Sequence, residues 1–83
     1  MWREGVIGVP VGDGKYTGIW YQAKVYDLPS EYGIEGGRIS KLQLRSGSRH
    51  DGEIVASYDR GWNIKPKTDA AEIALAILLK SFK

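Results

Sequence analysis

The 83-residue chain contains no cysteine. This absence excludes disulfide scaffolds, thiolate nucleophiles, and zinc or iron–sulfur sites held by cysteine. A chain without disulfides fits a reducing compartment, so a cytoplasmic location is the expectation.

The chain also lacks a long apolar run. No stretch approaches the ~18 consecutive apolar residues of a membrane span. Residues 1–5 do not open a secretory signal with its basic and then apolar order. We therefore expect a protein that is neither exported by such a signal nor embedded in a membrane.

Charge of one sign is not concentrated in either half. The chain has 12 Lys and Arg against 10 Asp and Glu, and residues 1–45 and 46–83 each hold six basic and five acidic side chains. Duplex nucleic acid needs many phosphate contacts from a dense basic surface. We therefore expect no general binding to duplex nucleic acid.

Residue sets typical of enzymes and metal sites are also missing. Ser48, His50 and Asp51 are the residue types of a hydrolase triad, but within one short turn the histidine cannot bridge the other two. His50 is the only histidine, so no second imidazole completes a metal shell. Residues 12–15, GDGK, lack the GxxxxGK[ST] spacing of a phosphate loop and precede a strand. The sequence therefore predicts no enzyme, no metal site and no cofactor.

The length allows one domain, residues 1–83. Folding must offset roughly 1.5 kcal/mol of conformational entropy per residue. An apolar content of 42% does this only narrowly in so short a chain. Self-association would be unsurprising, and a homo-oligomer is one expectation.

Alternation of apolar and polar residues predicts strands. Ile7, Val9 and Val11 share one face of the first, and the Asp13-Gly14 pair that follows suits a tight hairpin turn. Pro10 places this strand at the sheet edge, because proline cannot donate to a central ladder. The predicted strands are residues 6–11, 16–25, 39–45 and 53–59, and the segments 27–37 and 60–66 are irregular.

A helix is predicted over residues 69–82. Asp69 and Glu72 have the spacing of a capping box, and good helix formers dominate the rest of the segment. The sequence thus predicts an α+β fold, a four-stranded antiparallel β-meander with one C-terminal α-helix packed on one face. The apolar helix positions extend beyond one stripe, which suggests a partner on another side of the helix.

Alternate connections of a meander fall at the same end of the sheet. The long loop after the second strand, the segment after the fourth strand and the predicted helix N-terminus then meet at one end. The candidate ligand-binding residues there are Tyr32, Gly37, Arg38, Arg60 and Trp62. Aromatic rings stack on a base, guanidinium groups match phosphate oxygens, and a Gly-Gly backbone presents N–H groups to an anion. A nucleotide is the simplest molecule with these features.

A structural explanation of the same residues stays open. Arg38 and Arg60 would then pair with Glu35 and Asp59, and Trp62 would attach the loop to the core.

The aromatic residues Tyr16, Trp20 and Tyr26 fall on the sheet face opposite the helix. They suit either a stacking platform for single-stranded nucleic acid or a contact with another protein subunit. Only Lys24 adds charge among them, so the protein contact is favoured.

Two segments carry a family resemblance, WYQAKVYDLPSEYGIEGGRISKLQLR and IVASYDRGWNIKPK. Together with the C-terminal helix, they make the chain resemble a family of small, functionally uncharacterised single-domain proteins of Firmicutes and their phages. The resemblance implies no activity and assigns no site residue. It does imply a context, since short phage proteins often act by binding, as host-takeover or anti-defence factors.

Two functions therefore remain open. The first is a non-catalytic protein that sequesters a nucleotide-derived signalling molecule through the aromatic and arginine residues at one sheet end. The alternative is a protein–protein interaction module, or an inhibitor of a host protein, that acts through the Trp/Tyr sheet face.

Overall fold

A computed structural model describes all 83 residues, and it is an α+β fold with a single antiparallel sheet. The elements are β1 (Trp2–Gly12), β2 (Lys15–Val25), β3 (Ile39–Ser46), β4 (Ile54–Asp59), β5 (Trp62–Ile64) and α1 (Asp69–Ser81). The strands lie in the order in which they occur in the sequence, and each pairs antiparallel with the next. The predicted meander with a C-terminal helix is confirmed, and β1 is an edge strand as Pro10 indicates. No helix has the length and apolar character needed to cross a membrane.

The sheet has five strands, so the prediction of four is wrong. Residues 62–64, predicted to be irregular, pair with β4 at Tyr58↔Trp62 and Ser57↔Ile64. A strand of three residues is too short to show the alternation by which strands are recognised in a sequence.

The fifth strand reverses the direction of the helix. We call the end of the sheet that carries the β1–β2 and β3–β4 turns the hairpin end, and the opposite end the loop end. β5 returns the chain toward the hairpin end, where the Lys67 N–H donates to the Val55 carbonyl at 2.9 Å. Helix α1 begins there and finishes at the loop end, where Arg38 Nη1 donates to the main-chain oxygen of Lys83 at 3.3 Å. The predicted helix N-terminus at the loop end is therefore wrong.

The helix begins with a side-chain cap from Thr68. Its hydroxyl oxygen accepts a hydrogen bond from the Ala71 N–H at 3.0 Å, and its backbone is extended. The predicted cap at Asp69 is wrong by one residue. Asp69 and Glu72 lie in the first turn, where carboxylates interact favourably with the positive end of the helix dipole.

The core lies between α1 and one face of the sheet. Leu44 and Val9 are fully buried on that face, and Ile34 from the long loop belongs to the same core. On the helix, Ala71, Ala74 and Leu78 form the buried stripe. Small alanines at two of its three positions let the helix backbone lie close to the sheet.

The sheet face opposite α1, which we call the outer face, carries no helix. The β1–β2 register places Trp2 opposite Lys24, Glu4 opposite Gln22 and Val6 opposite Trp20 on this face. The β2–β3 register continues the first of these rows from Lys24 to Lys41. The outer face therefore holds most of the charged side chains of the sheet and half of its aromatic ones.

Candidate functional site

Exposed aromatic rings lie beside cations at the loop end of the sheet. We call this set the aromatic–cation row. It consists of Trp2, Lys24, Tyr26, Arg60 and Tyr32. The Lys24 ammonium lies 5.9 Å from the centre of the Trp2 ring and 5.4 Å from that of Tyr26. The Arg60 guanidinium lies 6.0 Å from the centre of the Tyr32 ring. These are cation–π distances.

All three rings remain accessible to a ligand. The exposed fractions are 52% for Trp2, 42% for Tyr26 and 55% for Tyr32. Aromatic residues exposed to this extent can contact a planar molecule from solvent.

Strand pairing builds the first half of the row. The hairpin register sets Trp2 beside Lys24, and Tyr26 follows Lys24 by two residues, which returns its side chain to the same face. The Tyr26 N–H donates to the Arg38 carbonyl at 2.9 Å, which holds the chain in place just beyond the end of β2.

The turn between β4 and β5 supplies the second half. Arg60 has a φ of 60°, a left-handed conformation that costs a residue with a side chain about 1–2 kcal/mol relative to glycine. Its N–H donates to the Ser40 carbonyl at 3.2 Å. Strain of this kind is often found at functional sites, and Asp13 and Glu35 share it in this chain.

The row lies in a positive field. Lys41 is opposite Lys24 in the register and forms a salt bridge with Asp59 at 3.9 Å. Lys24 and Arg60 form no salt bridge, because the chain has only that pair and Arg49–Asp51. Two unneutralised cations therefore attract an anion to the row.

The same field lowers the pKa of the Tyr26 phenol. A hydrogen bond from Lys24 is the largest cause, followed by the positive charge of Lys24, while Ser40 and Arg60 add smaller effects in the same direction. A field that stabilises a phenolate at this point also stabilises a phosphate oxygen placed there.

We predict that Lys24→Met raises the pKa of Tyr26 towards its usual value of 10.0, because the main donor and the nearest charge are lost. A spectrophotometric titration near 295 nm measures phenolate formation, and subtraction of a Tyr26→Phe variant isolates this residue. Lys80→Met, at the far end of the sequence on α1, is the matched control. An unchanged Tyr26 titration in Lys24→Met would contradict the arrangement of the row.

A shallow hollow on the outer face adjoins the row. Its volume is about 190 Å³. Its lining includes Trp2 and three side-chain amides, Gln22, Gln43 and Asn63. Amides present both donors and acceptors, so the hollow can hydrogen-bond the edge of a ring stacked on Trp2.

Two predicted ligand-binding residues, Gly37 and Arg38, use their hydrogen-bond donors within the fold. The N–H of Gly37 donates to the Ile34 carbonyl at 2.9 Å, and that of Gly36 donates to Gly33 at the same distance, so neither N–H is free for an anion. Arg38 Nε donates to the Tyr26 carbonyl at 2.7 Å, and its Nη1 reaches Lys83 as described above. Arg38 thus connects the end of β2 to the C-terminal segment.

The third, Trp62, lies on the helix side of the sheet. It is half-buried and meets the Tyr58 ring edge-on, with 5.0 Å between ring centres. Tyr58 in turn donates its hydroxyl hydrogen bond to the Tyr32 carbonyl at 2.9 Å. Trp62 therefore packs against Tyr58, which in turn holds the long loop at Tyr32. This agrees with the structural explanation, in which Trp62 attaches the loop to the core. The ion pairs of that explanation do not form, since Arg38 and Arg60 have no carboxylate partner.

The aromatic residues of the predicted protein interface are in three different environments. Tyr16 is 69% exposed and Tyr26 belongs to the row, but Trp20 is only 8% exposed. The turn after β3 folds over Trp20, with the His50 ring centre 6.5 Å away. Trp20 is therefore not available to the predicted protein contact, because the chain covers this ring itself.

Trp2 and Lys24 are not among the predicted ligand-binding residues. A two-residue turn at Asp13-Gly14 pairs residue 12 with residue 15, a register that would set residue 2 opposite residue 25. The bulge between Pro10 and Gly12 shifts the pairing to Trp2 opposite Lys24, so the turn alone does not predict this pair. The structure places no group of three or more His, Asp or Glu side chains where they could hold a metal ion.

The chain belongs to a protein family of unknown function, since a family model described as "Domain of unknown function (DUF7678)" matches residues 1–83. No curated protein and no solved structure matches it.

Proposed function

We propose that this protein is a binding protein for a nucleotide-derived small molecule, held at the aromatic–cation row. The observation that carries the proposal is the interleaving of three exposed rings with two unpaired cations on one stretch of surface. A nucleotide has the complementary pattern, with planar bases joined by anionic phosphates.

The rings supply the stacking surface. Stacking of a base on an aromatic side chain contributes about 1–3 kcal/mol. Trp2 is the strongest candidate, because it is the largest of the three rings and borders the amide-lined hollow. A base stacked on Trp2 places its hydrogen-bonding edge over Gln22 and Gln43.

The cations supply the phosphate contacts. Arg60 presents a planar fork that matches two phosphate oxygens, and Lys24 presents a point charge. The Lys24 ammonium lies 5.4 Å from the centre of the Tyr26 ring and lowers the pKa of its phenol, so it is placed to interact with an anionic oxygen at this point. A phosphate can supply that oxygen.

The proposed action is binding without a chemical step. A small protein that holds a nucleotide signal withdraws it from its receptor in proportion to the amount of protein made. For a chain of the phage context implied by the sequence, this would be an anti-defence role. The same geometry would also serve a host protein that buffers a nucleotide.

The test uses isothermal titration calorimetry with three probes. These are adenosine monophosphate, a cyclic dinucleotide of adenosine, and ribose 5-phosphate, which has the phosphate and sugar but no base. We expect the cyclic dinucleotide to bind most tightly, since it offers two bases and two phosphates to the row. Ribose 5-phosphate should bind at least tenfold more weakly than adenosine monophosphate, because it cannot stack.

Arg60→Gly is the informative variant. Glycine relieves the left-handed strain at residue 60, so the variant should fold as stably as the parent or more so, while nucleotide affinity falls about tenfold. Arg49→Gly is the matched control, because Arg49 is an exposed arginine in the turn at the hairpin end. Absence of binding by both nucleotides at millimolar concentration, or equal losses in the two variants, would refute the proposal.

A second candidate function is supported by a different observation. Along β1 and the hairpin tip, Val6, Val11 and Tyr16 are all exposed apolar or aromatic side chains. Such a surface suits a protein contact, which retains the interaction-module alternative for that side of the molecule.

A further inference from the structure

The outer edge of β1 carries backbone groups that have no partner. Met1 and Val25 exchange two hydrogen bonds, of 2.9 and 2.8 Å. In an antiparallel ladder such pairs alternate with pairs that bond outward. The even residues of β1, namely Trp2, Glu4, Val6 and Gly8, therefore direct their N–H and C=O groups away from the sheet.

This edge is long and poorly protected. Natural edge strands are usually short, bulged, charged or interrupted by proline. β1 has 11 residues, and its proline, Pro10, lies near one end. Between Trp2 and Gly8 nothing prevents another strand from pairing, and Glu4 is the only charge on the outer face of that stretch.

Apolar side chains flank the edge on both sides of the sheet. Val6 is 48% exposed on the outer face. On the other side, Ile73 and Ile77 are exposed on α1. Helical spacing puts these two isoleucines on the flank opposite Leu75 and Leu79, which face Trp62 of β5. Ile73 and Ile77 therefore lie toward β1, at the other edge of the sheet.

We propose that a second copy of this chain pairs with β1 at this edge, antiparallel about a two-fold axis at Val6, to form one continuous ten-stranded sheet. Val6 then bonds to Val6 of the second copy, and Glu4 bonds to Gly8 of the second copy. This gives about eight inter-strand hydrogen bonds, allowing for the missing N–H of Pro10. The exposed isoleucines of the two helices lie on one side of the new sheet, beside the axis.

The charges of β1 disfavour two alternative registers. Only registers that pair even residues with even residues use the outward groups. Centring the axis on Glu4 would place two glutamates face to face, and centring it on Arg3 would do the same with two arginines. Both arrangements are destabilised by like-charge repulsion. With the axis on Val6, Arg3 faces Val9 and Glu4 faces Gly8, so no like charges meet.

The contact is large enough for a stable dimer. Residues 2–10 span about 30 Å as a strand, and the molecule is 21 and 19 Å across its two shorter axes. A contact of this length and depth buries about 600 Å² on each copy, which reaches the lower end of the range for specific interfaces, about 1,200 Å² in total.

The dimer would also extend the aromatic–cation row. In the Val6-centred register Trp2 faces Pro10 of the second copy, and Pro10 is paired with Tyr16 within its own chain. Tyr16 of the second copy then continues the row beyond Trp2 on the same outer face. Tyr16, the most exposed tyrosine, would then take part in ligand binding. Only this extension of the row rests on the proposed function, and the dimer itself does not.

Two measurements test the dimer. Light scattering after size exclusion at 10–200 µM should give a mass of twice 9.2 kDa. Val6→Lys, which places two ammonium groups on the axis, should lower the dimer fraction at least tenfold while the circular dichroism spectrum is unchanged. Gly8→Pro should act similarly, because it removes an outward N–H that the monomer does not use. Leu28→Lys, at a 75% exposed loop position, is the charge control.

The register is tested by single cysteines in a chain that has none of its own. The Cα atoms of two facing Val6 residues would lie ~5.5 Å apart, within the range of a disulfide. Val6→Cys should therefore form a disulfide dimer at least tenfold faster than Glu4→Cys. Faster crosslinking of Glu4→Cys would refute the register. A monomeric mass at 200 µM, or a dimer unaffected by Val6→Lys and Gly8→Pro, would refute the dimer itself, whatever the outcome of the nucleotide titrations.

Discussion

Replacement of Leu44 by alanine is expected to destabilise the fold by about 3 kcal/mol, the middle of the range for deletion of a buried leucine side chain. Leu44 is completely buried at the centre of β3, and strands lie on both sides of it at Tyr21 and Ala56. Both of its neighbours are held in ladders, so the sheet cannot close the cavity. A domain of this size has only about 4–12 kcal/mol of stability in total.

Urea denaturation followed by circular dichroism measures this loss. The midpoint should shift to lower urea while the slope stays the same, which indicates a stability change without a change in compactness. Leu28→Ala is the matched control, since Leu28 is 75% exposed and its truncation should change stability by less than about 0.5 kcal/mol. Equal losses at Leu28 and Leu44 would contradict the placement of the core.

The main features of the fold could be predicted from local sequence signals. The Asp-Gly pair at residues 13 and 14 predicts the first hairpin, and the alternation on either side predicts which residues face the core. The helix follows from its composition and its first turn. Each of these signals lies within about ten residues, which is why one sequence suffices to find them.

The direction of the helix could not be predicted in this way. It depends on β5, whose three residues are a strand only because β4 lies beside them. Without β5 the helix would begin at the loop end, and its N-terminal N–H groups would face Arg38. With β5 the helix C-terminus lies there instead, and Arg38 donates to its last segment. Because this short strand was not predicted, the predicted helix had its N-terminus at the loop end, where the structure has the C-terminus.

The site itself was only partly predictable. Tyr32 and Arg60 were chosen because topology brings their segments to one end, and the structure does place the Arg60 guanidinium over the Tyr32 ring. The left-handed backbone of Arg60 has no signature in the sequence, because arginine rarely adopts it. The covering of Trp20 was unpredictable for a similar reason, since it requires a close approach between β2 and the turn after β3, which are far apart in sequence.

That approach depends on Gly18, and we expect Gly18→Ala to cost about 1–3 kcal/mol, the usual range for overpacking. A Cβ at residue 18 would collide with the side chain of Ser48, whose own Cβ would lie only 3.3 Å away. The Ser48 hydroxyl can rotate away, but its Cβ and Cα, at 3.3 and 3.4 Å, would have to move by a few tenths of an ångström, and the turn after β3 with them. The turn is held at this point by a hydrogen bond of 3.0 Å from the Gly47 N–H to the Gly18 carbonyl. A displacement of the turn therefore also weakens that bond and exposes Trp20 to water.

A double-mutant cycle separates this collision from a general effect of alanine in a strand. Ser48→Gly removes the colliding atoms, so it should restore most of the stability that Gly18→Ala loses, with a coupling free energy of about 1 kcal/mol or more. Gly8→Ala is the matched control, because Gly8 pairs with Gly18 across the hairpin, and a Cβ there would meet only the Tyr16 ring at an ordinary 3.7 Å. Urea denaturation gives the free energies, and a red shift of tryptophan emission in Gly18→Ala alone reports the exposure of Trp20. If Ser48→Gly fails to rescue Gly18→Ala, the turn does not lie over Trp20 as the structure shows, and the outer face would be an open aromatic surface after all.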